Sequence, residues 1–244
     1  MKALDDCFVS DSVSILASQK KKKTPAVHDR LYYKREEVLH SLTHALGALL
    51  GVLGLILLIM KTLPLNTVDV VSAVIFGVSL ILLYSASALY HGACAAIGEE
   101  CVSPVRDFFM KCDHCMIFIL IVGTYTPACL SAMGGVIGWI VFAVVASCSL
   151  LGLVLNSIDV DRFQKISLVL YLLTGWTIAA ASIPYYKAIG FYGFMFLLAG
   201  GLLYTVGVIF YKLQRIPYMH VLWHLFVLGG SVMHFFMVYG YCFS

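Results

Sequence analysis

The run LGALLGVLGLILLIM, residues 46–60, presents no polar face in any helical or extended register. With its apolar flanks it reaches the roughly 20 residues that a helix needs to cross a hydrocarbon core about 30 Å thick. Cutting the chain at its polar and Pro/Gly clusters leaves seven such runs, over 40–60, 70–92, 112–132, 136–155, 166–184, 190–211 and 220–241. Strands of a membrane barrel would alternate in polarity over about ten residues, and these runs do not. Only 12% of the 244 residues are charged, against about 25% in soluble domains. The expected fold is an all-α membrane protein: a seven-transmembrane helix bundle over residues 36–244, behind a disordered basic tail over 1–35.

Lys and Arg next to membrane spans stay on the cytoplasmic side. With the N-terminus inside, that side collects Arg106, Lys111, Arg162, Lys165, Lys212 and Arg215 from the loops and all the basic residues of the tail, against Lys61 and Lys187 outside. The N-terminus is therefore expected in the cytoplasm and the C-terminus outside. This bias accounts for the net charge of +3, so nucleic acid is not an expected partner. The run KKKK (20–23) reads as a topology signal or solvated stretch, which can also hold the tail to anionic lipid at about 1 kcal/mol per Lys. The patch SVSILA (12–17) is too short for a secretory signal. Of the eight cysteines, Cys7, Cys94, Cys101, Cys112 and Cys115 fall on the reducing side, Cys129 and Cys148 in spans and Cys242 outside, so structural disulfides are not expected.

Small residues at Gly47, Gly51, Gly200, Gly201, Gly229 and Gly230 suit close helix approach. Pro127 and Pro184, near the outer ends of their spans, are expected to cap or kink them.

Ionisable groups inside a membrane are costly, about 2.5–3.5 kcal/mol for an Asp at mid-helix, and so point to function. The topology fixes their depth. His91 closes the second span, Asp113 opens the third, and His220 and His224 open the seventh, so all four belong to one cytoplasmic layer. Ser87 lies one turn deeper than His91 on the same face. Residues four apart on a helix are neighbours, so His220 and His224 can present two imidazoles to one point. His91 would supply a third, and three imidazoles with an open fourth position make a catalytic zinc arrangement. Asp113 is then placed to orient a water or carry its proton, and Ser87 to hydrogen-bond a carboxylate, a ligand histidine or that water. A single intramembrane histidine is more often an interhelical hydrogen-bonding residue. Convergence from three helices favours the metal.

Other candidates are weaker. His40 and His44 in HSLTH (40–44) form a rival pair at the same side; His44 with Thr43 reads as a pocket residue and His40 as interfacial. Cys112 and Cys115 have no companion pair at zinc-finger spacing and read as free thiols. His114 lies about 100° around the helix from Asp113 and faces a neighbour. Glu36 and Glu37 suit the positive end of the first helix and can ring the cytoplasmic mouth. His234 lies roughly 21 Å beyond His220 along its helix and reads as a packing or interface residue.

Several long segments, EEVLHSLTHALGALLG (36–51), SLILLYSASALYH (79–91), DHCMIFILIVGTYTP (113–127), LAGGLLYTVGVIFY (198–211) and IPYMHVLWHLFVLGG (216–230), resemble the bacterial hemolysin III family, relatives of the progestin and adiponectin receptors. The resemblance covers about residues 33–241. It implies a seven-helix bundle in the bacterial inner (plasma) membrane with zinc near the cytoplasmic face. The family motifs fall on Ser87 and His91, on Asp113, and on His220 and His224. Relatives usually carry Asn where this chain has His40, which weighs against a ligand role for it.

The expected activity is zinc-dependent hydrolysis of a lipid amide or ester, similar to the ceramidase-like activity suggested for the receptor relatives, with membrane lipid as substrate or ligand. The alternative is a non-enzymatic sensor or receptor with structural zinc, or a cytolytic pore, although a conducting lumen needs a polar lining. Removing His220 is expected to release the metal and removing His234 to leave it bound, as metal analysis of the purified variants would read.

Overall fold

A computed structural model describes residues 27–98 and 104–243. The lysine run 20–23, the patch 12–17, Cys7 and Cys101 lie outside the described residues. Every regular element among the described residues is helical: α1 (Val27–Thr62), α2 (Thr67–Ile97), α3 (Pro104–Thr126), α4 (Gly135–Ile158), α5 (Val160–Gly175), α6 (Ser182–Lys212) and α7 (Met219–Met237). A π-helical segment, Pro127–Met133, prolongs α3, and another, Val238–Cys242, prolongs α7. α1 begins within the stretch read as tail. Among the described residues, 33–243 form one compact unit, and 27–32 belong to a separate one.

Six helical runs among the described residues are long and apolar enough to cross a membrane. Five match runs read from the sequence. The sixth, Val160–Lys212, spans 53 residues and holds both the fifth and the sixth of them. Its two halves run antiparallel: Gln164 Nε2 donates to Tyr211 Oη at 2.9 Å and Trp176 Nε1 to Thr205 Oγ1 at 3.0 Å. The reversal falls at Gly190, whose φ of 69° and ψ of −176° suit a residue without Cβ. With the 3₁₀ segment Thr177–Ala181 breaking the helix just before it, Pro184 marks an expected kink and does not end the run. It sits in the first turn of α6, where a missing N–H costs nothing. Pro127 opens the π-helical segment instead of closing the helix.

Two helix starts are written in the sequence. Asn66 caps α2 by accepting from the Asp69 N–H at 3.0 Å, and Asp159 caps α5 by accepting from the Arg162 N–H at 2.9 Å, each satisfying a backbone donor that has no intrahelical partner.

The outer surface is apolar. Leu49, Met60, Trp139, Leu150, Ile183 and Tyr192 are exposed, as suits contact with lipid chains. Polar side chains turn inward and pair. Asn156 Nδ2 donates to the His114 carbonyl and to Tyr171 Oη, Tyr171 Oη donates to the same carbonyl, and Ser167 Oγ donates to Asn156 Oδ1. This buried network joins α3, α4 and α5 beside Asp113. Tyr84 Oη donates to Ser231 Oγ, which also meets Tyr204 Oη, both at 2.7 Å, joining α2, α6 and α7.

Close approach depends on missing side chains. A Cβ on Gly47 would lie 2.5 Å from the Tyr84 ring, one on Gly230 would lie 2.8 Å from Tyr204, and one on Gly200 would lie 2.3 Å from His234. The same holds for Gly152, where a Cβ would sit 1.9 Å from the Phe118 ring, whereas at Gly175 it would meet nothing within 4 Å. Gly152→Ala is therefore expected to destabilise the bundle by about 1–3 kcal/mol or more, as overpacking of a filled core does. Gly175→Ala should stay within about 0.5 kcal/mol. Denaturation of both variants in detergent would measure the difference.

Candidate metal centre

The site is built where α1, α2, α3 and α7 meet at one end of the bundle. On α1, Glu37, His40 and His44 follow at spacings of three and four, so one helix face carries all three. α2 brings Ser87 and His91, again one turn apart. α7 begins at Met219 and sets His220 and His224 in its first two turns. α1 is pinned at this level by Ser41 Oγ, which donates to the Ala88 carbonyl at 2.9 Å, and by the Tyr218 N–H, which donates to Glu36.

The three histidines singled out by depth come together. One ring nitrogen from each of His91, His220 and His224 lies within 4.8 Å of the others. Hydrogen bonds orient two of these rings. His91 Nδ1 lies 2.8 Å from Glu37 Oε2, so Nδ1–H donates to the carboxylate and Nε2 is left with a free lone pair. His224 Nδ1 lies 3.2 Å from the His40 carbonyl and 3.4 Å from Thr43 Oγ1, which again makes Nδ1 the donor and Nε2 the free base. A carboxylate or carbonyl behind the far nitrogen is how metal-bound histidines are usually held. Glu37 is therefore a positioning residue for His91, and α1 provides the outer support of the centre.

One residue read otherwise from the sequence belongs here, beside His44, the expected pocket residue. His40 is not interfacial. It is 4% exposed, and its ring centroid stands 4.7 Å from that of His91, 4.8 Å from His220 and 5.0 Å from His224. His40, His91 and Glu37 form a second group able to hold a metal. His44 stacks on His224 with centroids 3.7 Å apart and planes 15° apart, and meets the Tyr84 ring edge-on. The signal for both was the second His-x3-His pair at the same depth, and for Glu37 its place one turn before His40.

The donor set fits a metal cation. Six buried ring nitrogens, two each on His40 and His44, Nε2 of His91 and Nδ1 of His220, have no hydrogen-bond partner. Each unsatisfied buried group costs about 1–3 kcal/mol, and neutral imidazoles suit first-row divalent ions far better than hard cations. Ser87 is buried and, with Asp113, lines the cavity that the histidines border. His114 turns its Nδ1 to the Met110 carbonyl. Cys115 packs against α4 through the Leu153 carbonyl and Ser157, and neither it nor Cys112 joins a metal-holding group.

The cavity measures about 480 Å³. The histidine cluster borders it, and so does His234, in the last turn of α7. His234 is also a packing residue, with Nε2 3.3 Å from the Leu197 carbonyl and its ring filling the space over Gly200. Leu83, Ile121, Leu172, Trp176, Val208 and Trp223 make up much of the wall between.

The family described as "Haemolysin-III related" matches residues 32–235. The chain is 40% identical over 210 residues to "Hemolysin-3" of Bacillus cereus, covering 86% of this chain and 93% of that one. It is 40% identical over 209 residues to "Hemolysin-3 homolog" of Bacillus subtilis (strain 168), covering 85% and 95%. A more distant relative is the human "Monocyte to macrophage differentiation factor", 25% identical over 211 residues with 84% of each chain covered. The chain belongs to the haemolysin-III-related family and is a multi-pass integral membrane protein.

Replacing Glu37 by Ala removes the carboxylate behind His91. Metal affinity is expected to fall about 10- to 100-fold, the usual cost of losing such a partner, and a chelator competition on the purified protein would read it.

Proposed function

We propose that this haemolysin-III-related chain is a zinc-dependent membrane hydrolase that cleaves an amide or ester bond in a lipid. The observation that carries the reading is the shape and chemistry of the cavity. Its histidine end and His234 are 14 residues apart on one continuous helix, Met219–Met237, which is about 21 Å at 1.5 Å per residue. The cavity, about 480 Å³, is walled largely by apolar side chains and carries His91, His220, His224, Ser87 and Asp113 in its lining. That distribution suits an acyl chain whose carbonyl lies against the histidines.

In this reading the 53-residue run crosses twice by turning at Gly190, making seven crossings. The Lys/Arg bias then puts the N-terminus and the metal centre on the cytoplasmic side and the C-terminus outside, in the bacterial plasma membrane in which the Bacillus relatives would sit.

Zinc held by His91, His220 and His224 would polarise a carbonyl oxygen and make water nucleophilic near neutral pH. The chain's own residues do the rest. A carboxylate oxygen of Asp113 orients the attacking water, holds the proton it gives up and passes that proton to the departing amine or alcohol. Ser87 Oγ donates its hydrogen to the carbonyl oxygen as negative charge develops there, or positions Asp113. Glu37 keeps His91 in the tautomer that leaves Nε2 unprotonated. The apolar wall excludes bulk water, which strengthens each of these interactions.

One observation favours a second reading. A fourth imidazole, His40, stands as close to the cluster as its members do to one another, and closed four-ligand zinc sites are structural. A sensor or receptor with structural zinc would suit that arrangement. The pore reading draws on the names of the Bacillus relatives, but the largely apolar wall gives ions little polar lining.

Asp113→Asn is expected to keep stoichiometric zinc and lower turnover by about 10²- to 10⁴-fold, and Ser87→Ala by about 10²- to 10³-fold. Incubating wild type and variants with a bilayer lipid extract and reading the products by mass spectrometry tests this. Zinc-loaded wild type that hydrolyses no lipid would end the hydrolase reading in favour of the structural one.

A further inference from the structure

Away from the metal centre, the polar side chains that border the cavity are paired, with one exception. Trp176 Nε1 donates to Thr205 Oγ1, Thr205 Oγ1 to the Gly201 carbonyl and Tyr125 Oη to the Gly175 carbonyl. The exception is His234. Its Nε2 lies 3.3 Å from the Leu197 carbonyl, which can only accept, so Nε2–H donates and Nδ1 of the neutral ring carries a lone pair. Nδ1 has no hydrogen-bond partner among the described residues, and unlike the ring nitrogens of His40 and His44 it is not sealed by packing.

The open spaces that His234 borders are two. A smaller cavity of about 100 Å³ adjoins the large one, and both have Gly175, Trp176, Gly201 and His234 in their walls. A Cβ on Gly175 would meet nothing within 4 Å, so nothing packs over the shared wall there. Ser182, the first residue of α6, lines the smaller cavity, and its hydroxyl has no hydrogen bond among the described residues. No Asp, Glu, Lys or Arg lines this side chamber, so a charged group placed in it would go unpaired. A plain hydrocarbon tail would leave the His234 lone pair unmet. A neutral hydrogen-bond donor answers both conditions.

We infer that the side chamber is a subsite for a hydroxyl group carried partway along the acyl chain of the lipid, with His234 Nδ1 accepting its hydrogen and Ser182 as the chamber's second polar group. The large cavity borders His224 as well as His234. These two histidines stand ten residues apart on α7, about 15 Å along its axis at 1.5 Å per residue. An extended chain advances about 1.2 Å per bond, as a peptide backbone does over its three bonds per residue. A carbonyl at the metal centre therefore puts the hydroxyl about a dozen carbons away. The subsite deepens the hydrolase reading, and rests on it for placing the carbonyl at the histidines.

The test reads binding. Full-length protein in nanodiscs, with zinc added, is loaded with a fluorescent fatty acid, which is then displaced by octadecanoic acid or by its 12-hydroxy or 6-hydroxy derivative. The 12-hydroxy acid should act at a concentration about 3- to 10-fold below that of octadecanoic acid, the net worth of one hydrogen bond, and the 6-hydroxy acid should show no such gain. His234→Phe, which keeps a ring but has no acceptor, should lose the preference while retaining zinc, and His234→Gln, which keeps an acceptor, should preserve it. Equal displacement by the 12-hydroxy and unsubstituted acids in wild type, as a chamber holding only water would give, overturns the inference. A preference that survives in His234→Phe, or a wild type that binds none of the three acids, overturns it too. The wild-type comparison needs no variant to fold. A protein that discriminates the acids yet hydrolyses no lipid loses only the hydrolase reading, and one that hydrolyses lipid without discriminating loses only the subsite.

Discussion

Hydrocarbon offers no water to a buried polar group, and the arrangement of this protein follows from that shortage. Each polar side chain inside the bundle must find a partner on a neighbouring helix or forfeit about 1–3 kcal/mol. Asn156, Ser167 and Tyr171 close on the His114 carbonyl, and Tyr84 and Tyr204 close on Ser231. These contacts fix which faces of the helices meet. The apolar faces point outward, so the bundle has its polar residues inside and its Leu, Ile and Trp at the surface.

The histidine cluster stands out against that pairing. Ring nitrogens of His40, His44, His91 and His220 go without partners, as do the hydroxyls of Ser131 and Ser149, in an interior that pairs Asn156, Ser167, Tyr171 and Ser231. A group of imidazoles that no side chain satisfies, next to others oriented by Glu37 and by the His40 carbonyl, could hold a metal ion. Such a cation would complete the pairing. The site and the packing therefore obey one rule.

The support for the centre comes from α1, whose metal-facing residues were the least conspicuous in the sequence. Glu37 fixes His91, the His40 carbonyl and Thr43 fix His224, and His44 stacks on His224. One helix thereby sets the orientation of ligands on two others. Gly47, three residues beyond His44, leaves room for Tyr84, so the same stretch of α1 also permits the approach of α2 that carries His91 to the site.

Much of this was legible in the amino-acid sequence. Runs of apolar residues decide for helices because hydrocarbon admits no other open structure. The depth of each ionisable residue follows from its place in its run, which was enough to bring His91, His220 and His224 together. Rotation about each helix axis was not legible. His40 looked interfacial because depth alone does not tell an inward from an outward face at a helix end, and only packing against α2 and α7 turns it into the cluster. The gap between the fifth and sixth runs, 184 to 190, was read from the sequence; the structure puts the reversal at its far edge, Gly190, and shows the pairing of Gln164 with Tyr211 across it. Sequence determined what must be buried and how deep it lies; tertiary structure decided which side chains face one another, because that depends on helix rotation, which local chemistry leaves free.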